Sequence, residues 1–261
     1  MSVVLAVTWN PRGEMPRFER LLPQLRQLYQ ALVLSFPPTA DLDVTQSFTH
    51  GPHAGRSDIL SFINQDWTWG RYMALRLALQ VPSDFVHYAD MDRLLRWVET
   101  RPQEWEQAVS KIQTTDCLVM GRSQAAYQTH PRSMLLTEAI SNRVVSEILG
   151  QPMDVSAGSK GFSRQAVEFL AAHTQPGRAL GTDAEWPILL KRAGFRVDYL
   201  VVDGLDWESA DRYREQAADP DGQRMAAERV DADPKSWEWR VRVAGEIVEV
   251  ALEAAQRRLG Q

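Results

Sequence analysis

The sequence predicts a single α/β domain with a mostly parallel central sheet, helices on both of its faces and a helical C-terminal tail. Three observations carry this. Short β-branched runs alternate with segments whose apolar residues recur at helical spacing. Gly and Pro punctuate the changeovers. One run, Phe85 to Ala89, leads directly into an aspartate pair, at the end of a strand where open α/β sheets collect ligands.

The elements follow in order. Val3 to Trp9 is the first buried strand, and Pro16 opens a helix through Phe18, Leu21, Leu22, Leu25 and Leu28. Pro23 is expected to kink or split that helix. Ala31 to Phe36 is a second strand, stopped by Pro37 and Pro38. From Asp41 to Asp66 the pattern weakens, with only Ile59 to Ile63 reading as helical, so this region is expected to be an irregular segment over the sheet. Trp69 to Leu79 is a helix, followed by the strand Phe85 to Ala89 and short helices at Leu94 to Val98 and Pro102 to Ile112. Cys117 to Met120 is a strand, and Ser133 to Leu149 an amphipathic helix ended by Gly150. Gly158 to Phe162 is a glycine-rich segment, Arg164 to Ala172 a helix, Asp183 to Ala193 a helix closed by Gly194, and Val197 to Val202 the last strand. Beyond Trp207 a charged stretch reaches Asp233. A helix from about Trp237 to Leu259 then carries apolar positions Val241, Ala244, Val248 and Leu252, and either packs back or joins a second copy of the chain. The expected division is a domain over 1–208 and a helical extension over 209–261.

A chain of 261 residues with 44% apolar and 24% charged residues has room for one substantial core. The formal net charge of -5 excludes a nucleic-acid binder held by phosphate neutralisation. Cys117, the only cysteine, excludes an internal disulfide and a zinc site of several thiolates, and the strand it opens makes it a packed thiol. The apolar start, Met1 to Trp9, is too short for a secretory signal, and no apolar run approaches membrane-spanning length. A cytoplasmic location is expected. His50 and His53 have no third ligand nearby and read as loop histidines.

Asp-x-Asp occurs at Asp41/Asp43, Asp90/Asp92, Asp219/Asp221 and Asp231/Asp233, so the bare pattern says little. Only Asp90 directly follows a compact apolar strand, FVHYA. In extended chain, residues two apart point to one side, so Asp90 and Asp92 could face one ion. Two hard oxygen donors suit Mg²⁺ or Mn²⁺, with water and diphosphate oxygens completing the shell. The alternative is a solvated turn in which Asp92 caps the next helix. Arg71, on the preceding helix, is either a phosphate contact or a surface charge.

The stretches DVSAGSKGFSRQAVEFL (Asp154 to Leu170) and DAEWPILLKRAGFRVDYLVVDGLDWE (Asp183 to Glu208) follow. With LVMGRS (Leu118 to Ser123) and the strand ending at Asp90, they give the chain an order of motifs that resembles the GT-A-fold glycosyltransferases. It is most similar to the branch of the polyprenyl- and dolichyl-phosphate sugar transferases, over about Val3 to Glu208. That resemblance implies a hexosyltransferase-type enzyme moving a sugar from a nucleoside-diphosphate donor to an acceptor hydroxyl. It implies a metal and diphosphate at Asp90 and Asp92, an acceptor side lined by Gly158 and Lys160, and a general base at Asp183 or Glu185. It also implies a nucleotide base bordered by Thr8, Asn10 and Arg12. The acidic pair that the family shows after the first strand is replaced here by Trp9-Asn10-Pro11-Arg12.

Other readings of the same residues stay open. Asp183 could cap its helix, and Lys160 could be a solvated loop lysine. Asp90 and Asp92 could serve as nucleophile and acid/base of a haloacid-dehalogenase-type phosphatase. The domain could also bind nucleotide or glycan without turnover.

Overall fold

A computed structural model describes residues 1–258. The chain alternates between strand and helix from Val3 onward. It runs β1 (Val3–Thr8), α1 (Met15–Leu28), β2 (Ala31–Phe36), α2 (Leu42–Thr49), β3 (Ile59–Ile63), α3 (Gly70–Ala78) and β4 (Phe85–Asp90). Next come α4 (Met91–Thr100), α5 (Pro102–Ile112), β5 (Cys117–Arg122), α6 (Gln124–Gln128) and α7 (Arg132–Leu149). The chain ends with β6 (Ser159–Ser163), α8 (Arg164–His173), α9 (Thr182–Arg192), β7 (Val197–Val202), α10 (Pro220–Asp231) and α11 (Pro234–Gln256).

The seven strands form one sheet in the order β3-β2-β1-β4-β6-β5-β7. All neighbours are parallel except β6, which runs antiparallel to both β4 and β5. One face of the sheet is covered by α1, α4 and α5, through residues such as Phe18, Leu25, Trp97 and Trp105. The other is covered by α3, α7, α8, α9 and α11, through Leu75, Val145, Leu170, Trp186 and Ile247. Strands buried on both faces explain the unbroken apolar runs of β1 and β2. Cys117 is fully buried, and burial pushes its thiol up to about 12, which removes it from nucleophilic chemistry.

Several expectations are corrected. The region Asp41 to Asp66 is not irregular: Asp41 caps α2 by accepting from Asp43 N at 2.9 Å and Val44 N at 3.2 Å. Ile59–Ile63 is an edge strand parallel to β2, because so short a mostly apolar run fits either period and here completes the sheet. Pro23 does not split α1. It sits on the exposed side, where water can reach the carbonyl of Glu19 that loses its partner. The charged stretch before Asp233 contains α10, with Asp219 as cap and Pro220 in its first turn. Residues Val243, Ile247, Val250, Ala251 and Ala254 form the buried stripe of α11, while Val241 and Leu252 face solvent. That stripe packs on α7 and α9 of the same chain. The predicted end of that helix, Leu259, lies outside the described residues.

Among the described residues, no helix is long and apolar enough to cross a membrane.

Candidate active site

The parallel register places Thr8 beside Asp90 at the carboxyl ends of β1 and β4. A cleft of about 430 Å³ opens above them. Its walls come from four places: the loop after β1 (Trp9, Asn10, Arg12), the loop after β2 (Pro37, Pro38, Thr39), the start of α3 (Gly70, Arg71) and the start of α4 (Asp92, Arg93). Trp67, Ala179, Leu180 and Glu208 complete the rim. The start of α3 is pinned over the sheet, since Ser35 Oγ donates to Gly70 O at 2.9 Å and Asn64 Nδ2 donates to Ser35 Oγ at 2.8 Å.

Asp90 is fully engaged. Its Oδ1 accepts from Thr8 Oγ1 at 3.0 Å and from Tyr88 Oη at 2.8 Å, and Arg71 Nη2 lies 3.1 Å from Oδ2. Gly158 is required beside it: its φ is +70°, and a Cβ there would stand 2.5 Å from Asp90 Oδ2. Asp90 N–H donates to Gly158 O at 3.0 Å, so the backbone holds the two together.

Asp92 departs from the extended geometry expected of it. The helix α4 begins at Met91, so Asp92 lies in its first turn. Nor does Asp92 cap α4: Asp90 holds the cap position, and Asp92 accepts only its neighbour's amide, Arg93 N, at 3.0 Å. Asp92 is half-buried. Desolvation first, then Glu208 and Asp90, push its pKa up to about 7.

Arg71 is no surface charge. Its side chain is 11% exposed and spans two carboxylates, Asp90 and Asp183, with Nη1 3.0 Å from Asp183 Oδ2. Lys160, on the central strand β6, is buried; its Nζ donates to Asp183 Oδ1 at 2.7 Å and to Val155 O at 3.1 Å. The alternating chain Lys160–Asp183–Arg71–Asp90 is therefore continuous. Burial alone would raise the pKa of Asp183, but Arg71 and Lys160 outweigh it and hold the carboxyl below its usual range. Asp183 makes no cap bond in α9, and Lys160 is not a loop lysine lining an acceptor surface.

Glu185 is not brought to this cleft. It lines a second pocket of about 540 Å³ together with Tyr72, His173, Arg178 and Arg257. There it accepts from Tyr72 Oη at 3.1 Å and from Arg257 Nη2 at 2.8 Å. Residues 175–181 run between the two: Ala179 and Leu180 border the cleft, and Gln175 to Arg178 border the second pocket.

Of the residues expected from sequence, Thr8, Asn10, Arg12, Arg71, Asp90 and Asp92 line one cleft, Gly158 touches Asp90, and Lys160 and Asp183 stand behind Arg71. Sequence reasoning did not single out Trp67, Arg93 or Glu208: Arg93 follows Asp92 directly and Glu208 ends the stretch from Asp183, but nothing local marks any of the three as facing the cleft. Among the described residues, no group of three His, Cys, Asp or Glu side chains is assembled to hold a metal. His53 stacks on Phe48 with centroids 4.9 Å apart, away from the cleft.

No protein-family model and no curated protein sequence matches the chain. Solved structures do. Glucosyl-3-phosphoglycerate synthase of M. tuberculosis superposes with a TM-score of 0.56 at 12% identity, covering 97% of this chain and 80% of that one. The fold is that of a GT-A domain. The same M. tuberculosis enzyme in complex with Mn²⁺, UDP and phosphoglyceric acid gives a TM-score of 0.54 at 11% identity, over 98% of this chain and 78% of that one. Its UDP complex gives 0.51 at 14% identity, over 92% and 80%.

Proposed function

We propose that the chain is a glycosyltransferase that moves a sugar from a nucleoside-diphosphate donor to an acceptor hydroxyl with the help of a divalent cation. The observation that carries this is the cleft itself. It lies at the carboxyl ends of parallel strands, with a carboxylate pair on its floor, three arginines in its walls and the N-terminus of α3 at its edge. A diphosphate matches the arginines and the helix terminus. The solved structures of similar fold that carry UDP, one of them with Mn²⁺, support the same reading.

The residues fit a cation that arrives with its substrate. Asp92 has oxygen lone pairs that no side chain occupies, and Glu208 Oε2 in the same cleft makes no hydrogen bond. One or two carboxylates plus phosphate oxygens is the usual protein share for Mg²⁺ or Mn²⁺. When bound, the cation would supply Lewis-acid stabilisation of charge on the departing diphosphate. The protein does the rest. Asp90 fixes Arg71 against the cleft, Arg12 and Arg93 offer guanidinium donors to phosphate oxygens, and Trp67 with Pro37 and Pro38 forms an apolar wall for the base. Thr8 and Asn10 border the same donor space.

Neither sequence candidate for the base stands free in the cleft: both oxygens of Asp183 are held by Arg71 and Lys160, and Glu185 opens elsewhere, so we assign Asp183 the positioning of Arg71. Its two cations keep it ionised at neutral pH and weaken it as a base, which suits that positioning role. Lys160 sets that charge state from behind, and Gly158 leaves room for Asp90. The acceptor hydroxyl, whether on a small phosphorylated acid or on the polyprenyl phosphate that the sequence resemblance implies, would enter beside residues 175–181. Asp90 does not serve the phosphatase reading well, since both its oxygens are held by Thr8, Tyr88 and Arg71 and it does not stand free as a nucleophile.

The test is calorimetric titration of UDP, GDP and their sugars with and without Mn²⁺, followed by assay of donor consumption with candidate acceptors. Metal-dependent diphosphate binding supports the reading and identifies the base. A folded protein that binds no nucleoside diphosphate under either condition overturns it.

A further inference from the structure

The sheet ends at β3, and what that edge presents follows from its register. Leu32 N–H donates to Asp58 O and Asn64 N–H donates to Phe36 O, both at 2.9 Å, with Leu32 opposite Ile59 and Phe36 opposite Ile63. In a parallel ladder this sets Leu60 and Phe62 to bond β2 with both of their backbone groups and turns those of Ser61 and Ile63 outward. Among the described residues, nothing bonds the outward N–H or C=O of either. The edge carries none of the usual protections. Ile-Leu-Ser-Phe-Ile contains no proline and no charge, and its ladder with β2 runs without a bulge. Phe62 and Ile63 are 37% and 43% exposed. The opposite edge is treated differently: β7 carries Asp198, and Gln151 Nε2 donates to Val197 O at 3.5 Å.

We propose that β3 pairs with β3 of a second copy of this chain, antiparallel and about a two-fold axis at Phe62, joining two sheets into one. This stands apart from the transferase reading and does not depend on it. The register is fixed by which groups face outward. With Phe62 opposite its own counterpart, Ser61 of each copy lies opposite Ile63 of the other. Each of those two pairs exchanges both of its N–H···O=C bonds, four in all. A two-fold interface has to be self-complementary in this way. The Phe62 rings then meet as a cross-strand pair in the non-hydrogen-bonded position, where side chains approach most closely. Charge agrees with the antiparallel sense. Before the strand, Arg26 and Arg56 both pair with Asp58, at 2.6 and 3.0 Å, which leaves a net positive charge. Just after the strand stands Asp66, exposed. Antiparallel pairing sets the positive end of one copy against Asp66 of the other, whereas parallel pairing would set like against like. The apolar stripe of α11, the other surface that could join two copies, is already spent on α7 and α9 of its own chain.

The experiment is analytical ultracentrifugation of the full chain over a range of concentrations, with amide hydrogen exchange at both ends of that range. So short an edge makes a small interface, so a monomer–dimer equilibrium with a Kd on the order of micromolar is expected. Exchange at the Ser61 and Ile63 amides should slow in the dimer, while the Leu60 and Phe62 amides, bonded to β2 throughout, should not change. Ser61→Pro removes an outward N–H and sets a ring on the edge without touching the ladder to β2. Phe62→Glu places two like charges opposite each other at the axis. Each should weaken dimerisation by about tenfold or more while melting near the wild-type temperature. A chain that stays monomeric up to about 200 µM overturns the proposal. So does a dimer that neither variant weakens, or one in which the Ser61 and Ile63 amides exchange as fast as in the monomer. If Ser61→Pro does not fold, Phe62→Glu, at an exposed position, decides: undiminished dimerisation in that variant overturns the pairing.

Discussion

Two glycines with nearly the same backbone differ only in what stands beside them, and this isolates the contribution of Asp90's close packing. Gly150 ends α7 with φ +67°, and a Cβ added there meets nothing within 4 Å. Gly158 has φ +70°, and its Cβ would lie 2.5 Å from Asp90 Oδ2 and 3.1 Å from Asp90 Cγ. Gly150→Ala should destabilise by about 1 kcal/mol, the cost of a left-handed alanine. That corresponds to a melting temperature lower by roughly 2–4 °C in a domain of this size. Gly158→Ala carries the same strain and adds a clash. An ordinary C···O contact needs about 3.3 Å or more, so Asp90 must retreat by about 0.8 Å. Its backbone cannot yield easily, because Asp90 N–H is bonded to Gly158 O. The side chain then loses its fit to Thr8, Tyr88 and Arg71 at 3.0, 2.8 and 3.1 Å. At about 1 kcal/mol each, this adds roughly 2–3 kcal/mol. Gly158→Ala should therefore melt roughly 6–16 °C below wild type and lose metal-dependent diphosphate binding, while Gly150→Ala binds normally. Equal melting temperatures for the two variants, or full binding by Gly158→Ala, would refute the role given to this contact.

Three further outcomes are expected. Arg122 is fully buried between Glu138 at 2.6 Å and Asp154 at 2.7 Å, so Arg122→Met should destabilise by about 3–5 kcal/mol, read by urea denaturation. Burial would raise the pKa of Asp154, but Arg122 holds it well below the usual carboxylate range. Its folded pKa is thus the lower one: the stabilisation is present above about pH 4 and is lost as pH falls below that, so Asp154→Asn should flatten the acid limb of stability against pH. Trp67 is 47% exposed in the cleft wall, so Trp67→Ala should leave the melting temperature unchanged while weakening nucleotide binding by about 1–3 kcal/mol in calorimetry. Lys160→Met should destabilise by about 3–5 kcal/mol by stranding Asp183, and adding Asp183→Asn should recover part of that loss in a double-mutant cycle; additive losses would contradict the pairing.

What sequence could and could not convey follows from how locally each feature is determined. The strands β1, β2, β4, β5 and β7 are short, mostly apolar runs and are legible as such. The strand β6 is Ser-Lys-Gly-Phe-Ser, and nothing local reveals that its lysine is buried, since the partner that makes this tolerable is Asp183 on a later helix. The edge strand β3 reads as a helix in the sequence because four apolar residues around Ser61 fix no period, and only pairing with β2 decides it. The helix α10 has few apolar residues to show periodicity, and in α11 the buried face runs through Val243, Ala244, Ile247, Val250, Ala251 and Ala254 while the equally apolar Val241 and Leu252 face solvent. At the site, Thr8, Arg12, Arg71, Asp90 and Asp92 were reachable because they lie at or beside the carboxyl ends of legible strands. Glu208 and Trp67 reach the cleft through irregular segments, whose course is set by tertiary packing.

Charge balance in the cleft leads to one prediction whose sign would be unexpected without the structure. Asp90, Asp92, Asp183 and Glu208 stand among Lys160, Arg71 and Arg93, with Arg12 at the rim and Glu14 and Arg212 close enough to act on Asp92. Asp90 and Asp183 are neutralised within the chain Lys160–Asp183–Arg71–Asp90. Glu208 faces Arg93, so Asp92, which has no ion pair, is the carboxylate whose charge a diphosphate would meet unneutralised. Burial first, then the charges of Glu208 and Asp90, push the pKa of Asp92 up to about 7, so its full negative charge is present only above that pH, where the comparison is made. A cation removes the conflict; so does deleting one negative charge. Asp92→Asn should therefore weaken Mn²⁺-dependent UDP or GDP binding while tightening binding measured in chelator, the two effects having opposite sign. At an effective dielectric near 20, a unit charge about 5 Å from a phosphate contributes roughly 3 kcal/mol before screening, enough for the metal-free gain to be measurable by calorimetry. If Asp92→Asn weakens binding equally with and without metal, Asp92 contacts the nucleotide directly and its assignment to the cation fails.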